Sequence, residues 1–181
     1  IEGLTLDGNA ANNTDTNSWR LHDSIRFNST NGIIRDVTII DSQSEGIIAN
    51  ADNVLIENVL IDGAQGNGIH LSGGVGIKIR NNTIRNTNLG GPSVGHVGGA
   101  IAFSLNCPNA IITGNLLENA LAGIGDFNSE GGNGSIISGN TIRNCVSAFE
   151  GINVSSVGKN ADLTFSDNSI FDSGPVVFGD R

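Results

Sequence analysis

Three histidines, an arginine and an aspartate are the residues of this chain best suited to proton-transfer chemistry. His22, Asp23 and Arg26 stand close together, His70 lies in the stretch GIHL, and His96 lies in a glycine-rich run. An imidazole takes up and releases protons near neutral pH, and a guanidinium neutralises a carboxylate. Together they suit removal of a proton next to a carboxylate. His70 or His22 would be the base and Arg26 the group that neutralises the carboxylate. Hydrolysis instead needs two carboxyl groups about 5–9.5 Å apart. Asp23 is the acid nearest this set, while Asp126 and Glu130 fall farther along, so hydrolysis ranks lower. Trp19 and Arg20 add a stacking surface and a cation for a sugar ligand.

These residues must be positioned by very short elements. Apolar beats of three to five residues, rich in Ile and Val, alternate with polar or small residues and are broken by Gly or Asn. That pattern fits half-buried strands and not helices. One row of beats is anchored at Leu6, Ile34, Ile56, Ile79, Ile112, Ile137 and Phe165. A second runs through Ile25, Ile47, Ile69, Ile101, Ile124, Ile152 and Val176. A third holds Ile39, Ile61, Ile84, Leu117, Ile142 and Ile170. A unit of roughly 22 residues with three strand beats and occasional insertions means a solenoid.

Small residues (Ser42, Ala64, Thr87, Ala120, Cys145, Ser173) recur three positions after the third row, as a stacked inward corner requires. Asn82, Asn115, Asn140 and Asn168 form another matched set, with Asn9 as an earlier member. Stacked asparagines can bond from coil to coil. The two cysteines, Cys107 and Cys145, read as small buried residues, with a disulfide left open.

The rows resemble the repeats of right-handed parallel β-helix proteins of the pectate-lyase-like group, which includes polysaccharide lyases, some glycoside hydrolases, alginate C5-epimerases and phage tailspikes. The resemblance implies an all-β, right-handed parallel β-helix of about seven coils, each with three short strands, spanning 1–181 as a single domain. This domain is expected to be a fragment or central part of a longer chain. LTLDGNAANNT is similar to an early coil of the epimerases. Their Tyr-Gly-Phe-Asp-Pro-His motif has no counterpart here: the chain has no tyrosine, and EGIIAN, at the corresponding strand, carries neither Asp nor His.

In such a fold Ile69 and Leu71 face inward and His70 outward, on the same face as Arg26 and two coils from it. At the usual strand spacing that is about 9–10 Å. Two insertions, Ala10–Asp23 and Asn88–Gly98, bracket this face. The expected partner is an extended, uronate-containing polysaccharide. A structural or adhesive rod, or a glycan-binding module without turnover, are the alternatives. A homotrimer or flanking segments would cap the ends, and the setting would be extracellular, at a cell surface or on a virion.

The net charge of -9 speaks against nucleic acid, which needs clustered Lys and Arg. No apolar run of about 18 residues spans a membrane. Arg35, Lys78, Arg80, Arg85 and Arg143 read as dispersed solubility charges. No cofactor is implied by a motif. Calcium is the ion that Asp7 or the Asp52/Glu57 region would suit, without EF-hand spacing.

Overall fold

A computed structural model describes residues 1–10, 22–87, 99–103, 107–126, 133–151 and 162–178. The described strands stack into three parallel sheets. The first contains β1 (Thr5–Asp7), β4 (Thr38–Ile40), β7 (Leu60–Asp62), β10 (Thr83–Thr87), β13 (Leu116–Ala120), β16 (Thr141–Arg143) and β19 (Ser169–Phe171). The second contains β2 (Ile25–Phe27), β5 (Ile47–Ala49), β8 (Ile69–Leu71), β11 (Gly99–Phe103), β14 (Ala122–Asp126), β17 (Ser147–Gly151) and β20 (Val176–Phe178). The third contains β3 (Ile33–Arg35), β6 (Leu55–Glu57), β9 (Lys78–Arg80), β12 (Ile111–Thr113), β15 (Ile136–Ser138) and β18 (Thr164–Ser166). The chain visits the sheets in turn and pairs each strand with its counterpart one coil on. This is a parallel β-helix. Among the described residues no helix is long and apolar enough to cross a membrane.

The core is the stack of inward isoleucines. Ile34, Ile56, Ile79, Ile112 and Ile137 are fully buried in the third sheet, and Ile39, Ile61, Ile84, Leu117 and Ile142 in the first. Two members of the expected rows move. Leu6 pairs with Ile39 and so heads the first sheet, not the row of Ile34. In the second sheet Phe149, not Ile152, pairs with Ile124 and Val176.

Asparagine is abundant because the corners need it. Asp36, Asn58, Asn81, Gly114, Gly139 and Asp167 lie one after another at one corner. Asn31, Asn53, Gly76, Asn109 and Gly134 do the same at another, all at positive φ. Asn and Asp tolerate this left-handed region better than other residues with a side chain, and Gly enters it freely. The expected asparagine ladder is present. The Nδ2 groups of Asn82, Asn115 and Asn140 donate to Oδ1 of the next asparagine at 2.9 Å, ending on Asn168. Asn9 is not part of it. Its backbone N donates to Asp7 Oδ1 at the corner after β1.

Glycine at position 68 has a packing cause. A Cβ there would lie 2.3 Å from Ile84 Cγ2 and 2.6 Å from the Ala100 carbonyl oxygen. Gly68→Ala is therefore expected to destabilise the fold by about 1–3 kcal/mol, the usual cost of overpacking. Denaturant unfolding checks this, and a wild-type midpoint would refute the contact.

The dispersed arginines are paired across coils. Arg85 meets Asp62 and Arg80 meets Glu57, both at 2.8 Å, while Arg143 meets Glu118 and Arg35 meets Glu2, both at 3.0 Å. Burial pushes the Asp62 carboxyl up. Hydrogen bonds from Asn86 and Arg85, with the Arg85 charge, outweigh that and hold it below its ordinary value. The stabilisation it supplies is present above the unfolded-state pKa and is lost as pH falls through the lowered folded value. Arg85→Ala is expected to bring the Asp62 pKa back up, as read by NMR titration. Neither cysteine is in a disulfide and both are buried, and burial pushes the Cys145 thiol up, keeping it protonated and unreactive.

Candidate functional site

In the second sheet Arg26, Ile48, His70, Ala102, Gly125, Glu150 and Val177 share one register column, whose described side chains at Arg26, Ile48, His70 and Ala102 face outward. Arg26 and His70 are two coils apart, as the repeat implies, and Glu150 occupies the place expected for Asn153. The exposure of this face differs from what an open sheet would show. Ile48 is 6% and Ala102 1% exposed, although both point away from the core. Equivalent outward residues of the third sheet, Ile33 and Ile136, are 43% and 42% exposed. At Ile48, His70 and Ala102 the second sheet thus presents a shielded, mainly apolar floor, with the half-exposed Arg26 at its edge.

Arg26 and His70 each have a buried carboxylate beside them. Asp23, two residues before β2, is almost fully buried, and its Oδ2 accepts a 2.6 Å hydrogen bond from the half-exposed Arg26. Its other oxygen, Oδ1, is buried with no hydrogen-bond partner. Glu45 stands two residues before β5, in the column of Asp23, and Asn67 follows two residues before β8. The Glu45 side chain is 5% exposed and lies 3.4 Å from Nδ1 of His70, itself 13% exposed. Asn67 donates to Glu45 through its backbone N and, at 3.2 Å, through Nδ2. Asn67 Oδ1 in turn accepts from Gly99 N at 2.7 Å. The arrangement can fix an imidazole with limited access to water and, beside it, a half-exposed guanidinium.

His22 is not on that floor. With Asp7, Asp23 and Gln43 it lines a cavity of about 210 Å³ at the corner between the first and second sheets. Trp19, Arg20 and His96 lie outside the described residues. The carboxylates expected to suit calcium are engaged elsewhere: Asp7 with Asn9 N, Asp52 with Val75 N, and Glu57 with Arg80. Among the described residues no three His, Cys, Asp or Glu side chains group to hold a metal.

Glu45 and Asn67 were missed in the sequence because neither falls on a strand beat. A signal existed: Asp23-Ser24-Ile25, Glu45-Gly46-Ile47 and Asn67-Gly68-Ile69 repeat a polar residue two places before each buried isoleucine.

The family model for the right handed beta helix region matches residues 4–179. The chain belongs to this family. Among solved structures the chain is similar to endopolygalacturonase I from Stereum purpureum, solved in complex with two galacturonates. It is 13% identical, with a TM-score of 0.44 over 98% of this chain and 78% of that one. No curated protein matches this β-helix chain.

Proposed function

We propose that this β-helix acts on an extended, uronate-containing polysaccharide laid along the outer face of the second sheet. The reading is supported by one observation above all. This outward face is shielded while that of the third sheet is open, and it carries an imidazole and a guanidinium in one column. Apolar enclosure with a few convergent polar groups is the usual character of a ligand site, and exclusion of water strengthens charge interactions there.

A ligand reaching both Arg26 and His70 must lie along the solenoid axis, since they are about 9–10 Å apart. Nε2 of His70 would take the C5 proton, and Arg26, held by Asp23, would bind the adjacent carboxylate as charge moves onto it. Loss of the C4 oxygen substituent, with a proton delivered to it, then gives an unsaturated sugar and a shortened chain. Return of a proton to the opposite face gives the epimer instead. Hydrolysis by Asp23 and Glu45 fits less well, because both are nearly buried and tied to Arg26 and Asn67.

Incubation with a panel of acidic and neutral polysaccharides tests the proposal. The expected result is ultraviolet-absorbing unsaturated product, or an altered epimer ratio by NMR, from a uronate polymer alone. Binding without either change would point to a glycan-binding module. No binding to any polymer would favour the structural rod.

A further inference from the structure

We infer that Glu45 is a positioning residue for His70. It holds the proton of the neutral imidazole on Nδ1, so that the basic nitrogen is Nε2. This inference rests on the proposed role of His70 as a base, but its first test does not.

The geometry is specific. Glu45 arrives from the preceding coil, buried, with Oε1 3.4 Å from His70 Nδ1. An ionised carboxylate can only accept, so facing it favours the tautomer with a proton on Nδ1. Asn67 fixes the carboxylate by donating through both its nitrogens, and is fixed in turn by Gly99 N. A buried carboxylate anchored this way cannot swing toward solvent when the ring charges. The flanking residues in the His70 column, Ile48 and Ala102, are uncharged. The 3.4 Å separation is longer than a made hydrogen bond. Bonds of this kind often tighten only when substrate is bound. When His70 takes a proton on Nε2, the Glu45 charge stabilises the resulting imidazolium.

The test is imidazole ¹⁵N NMR on the ¹⁵N-histidine-labelled full chain, with the His70 signals assigned by their loss in His70→Ala. The wild-type protein, at a pH where His70 is neutral, is expected to show the Nδ1-protonated tautomer. Glu45→Gln, which keeps an oxygen for Asn67 N, is expected to shift the ring toward a tautomer mixture. A wild-type ring protonated mainly on Nε2 overturns the inference, and that reading needs no variant. So does a tautomer unchanged in a folded Glu45→Gln protein. On a uronate polymer that is turned over, Glu45→Gln is expected to lower kcat about 10–100-fold, the size of effect that carboxylate partners of metal-bound histidines have, with KM little changed. The Nδ1 tautomer without turnover of any polymer would keep the pairing and refute the proposed function instead.

Discussion

His70→Ala is expected to lower turnover of a uronate polymer by about 10²–10⁴-fold, the usual contribution of a positioned general base. Its neighbours Ile69 and Leu71 carry the packing of β8 and stay in place, because His70 points to the opposite side of the strand. The variant should therefore stay folded, with a far-ultraviolet spectrum like that of the wild type. The loss should appear in kcat more than in KM, because the imidazole acts on the proton in flight. Arg26→Ala should behave differently. Its guanidinium meets a carboxylate present in the ground state as well as the transition state, so KM should rise along with any fall in kcat. His70→Gln guards against a packing effect: it fills the space and offers hydrogen bonds but no base. A His70→Ala protein with full activity removes this residue from the mechanism. A His70→Gln protein with full activity reduces its role to a polar contact.

The fold was legible because its code is redundant. Ile34, Ile56, Ile79, Ile112 and Ile137 repeat one physical demand, a β-branched side chain pointing inward, and each repetition supports the others. Where a single beat had to be placed without that support, the reading slipped. Leu6 precedes a long insertion, and nothing in LTLDGN alone separates the first-sheet beat from the third-sheet beat. The pairing of β1 with β4 decides it. FEGIN contains two apolar residues of opposite register, and Phe149 takes the inward place that Ile152 was expected to hold. The candidate site was legible in half. The alternation of GIHL places His70 outward, but an outward position need not be an exposed one. The burial of Ile48 and Ala102 is not encoded in strand periodicity. Glu45 was hidden for a related reason. A carboxylate before a glycine reads as a solvated turn residue, and only the amide of Asn67, a full coil later in the chain, makes a buried place for it.

The asparagine ladder carries the largest stability effect expected here. Asn115 lies in its interior, with Oδ1 accepting from both nitrogens of Asn82 at 3.0 and 2.9 Å. Its Nδ2 donates to Ile79 O at 3.0 Å and to Asn140 Oδ1 at 2.9 Å. Asn115→Ala leaves the Asn82 amide groups and the Ile79 carbonyl buried without these partners. Asn82 Nδ2 keeps its bond to Ile56 O; the other two groups cost about 1–3 kcal/mol each, so a loss of about 2–6 kcal/mol is expected. This is a large share of the roughly 5–15 kcal/mol that holds a domain together. Asn168→Ala is the control. Asn168 is the last member of the ladder among the described residues, is more exposed, and accepts from Asn140 without passing a bond to a further asparagine. Water can replace part of what it supplies, so its loss should cost clearly less. A solenoid can open coil by coil, so global unfolding in urea should be paired with amide hydrogen exchange. The Asn82 amide should lose protection in Asn115→Ala and keep it in Asn168→Ala. Equal, small effects from the two variants would mean that the isoleucine stack holds the coils together and that the ladder only decorates it.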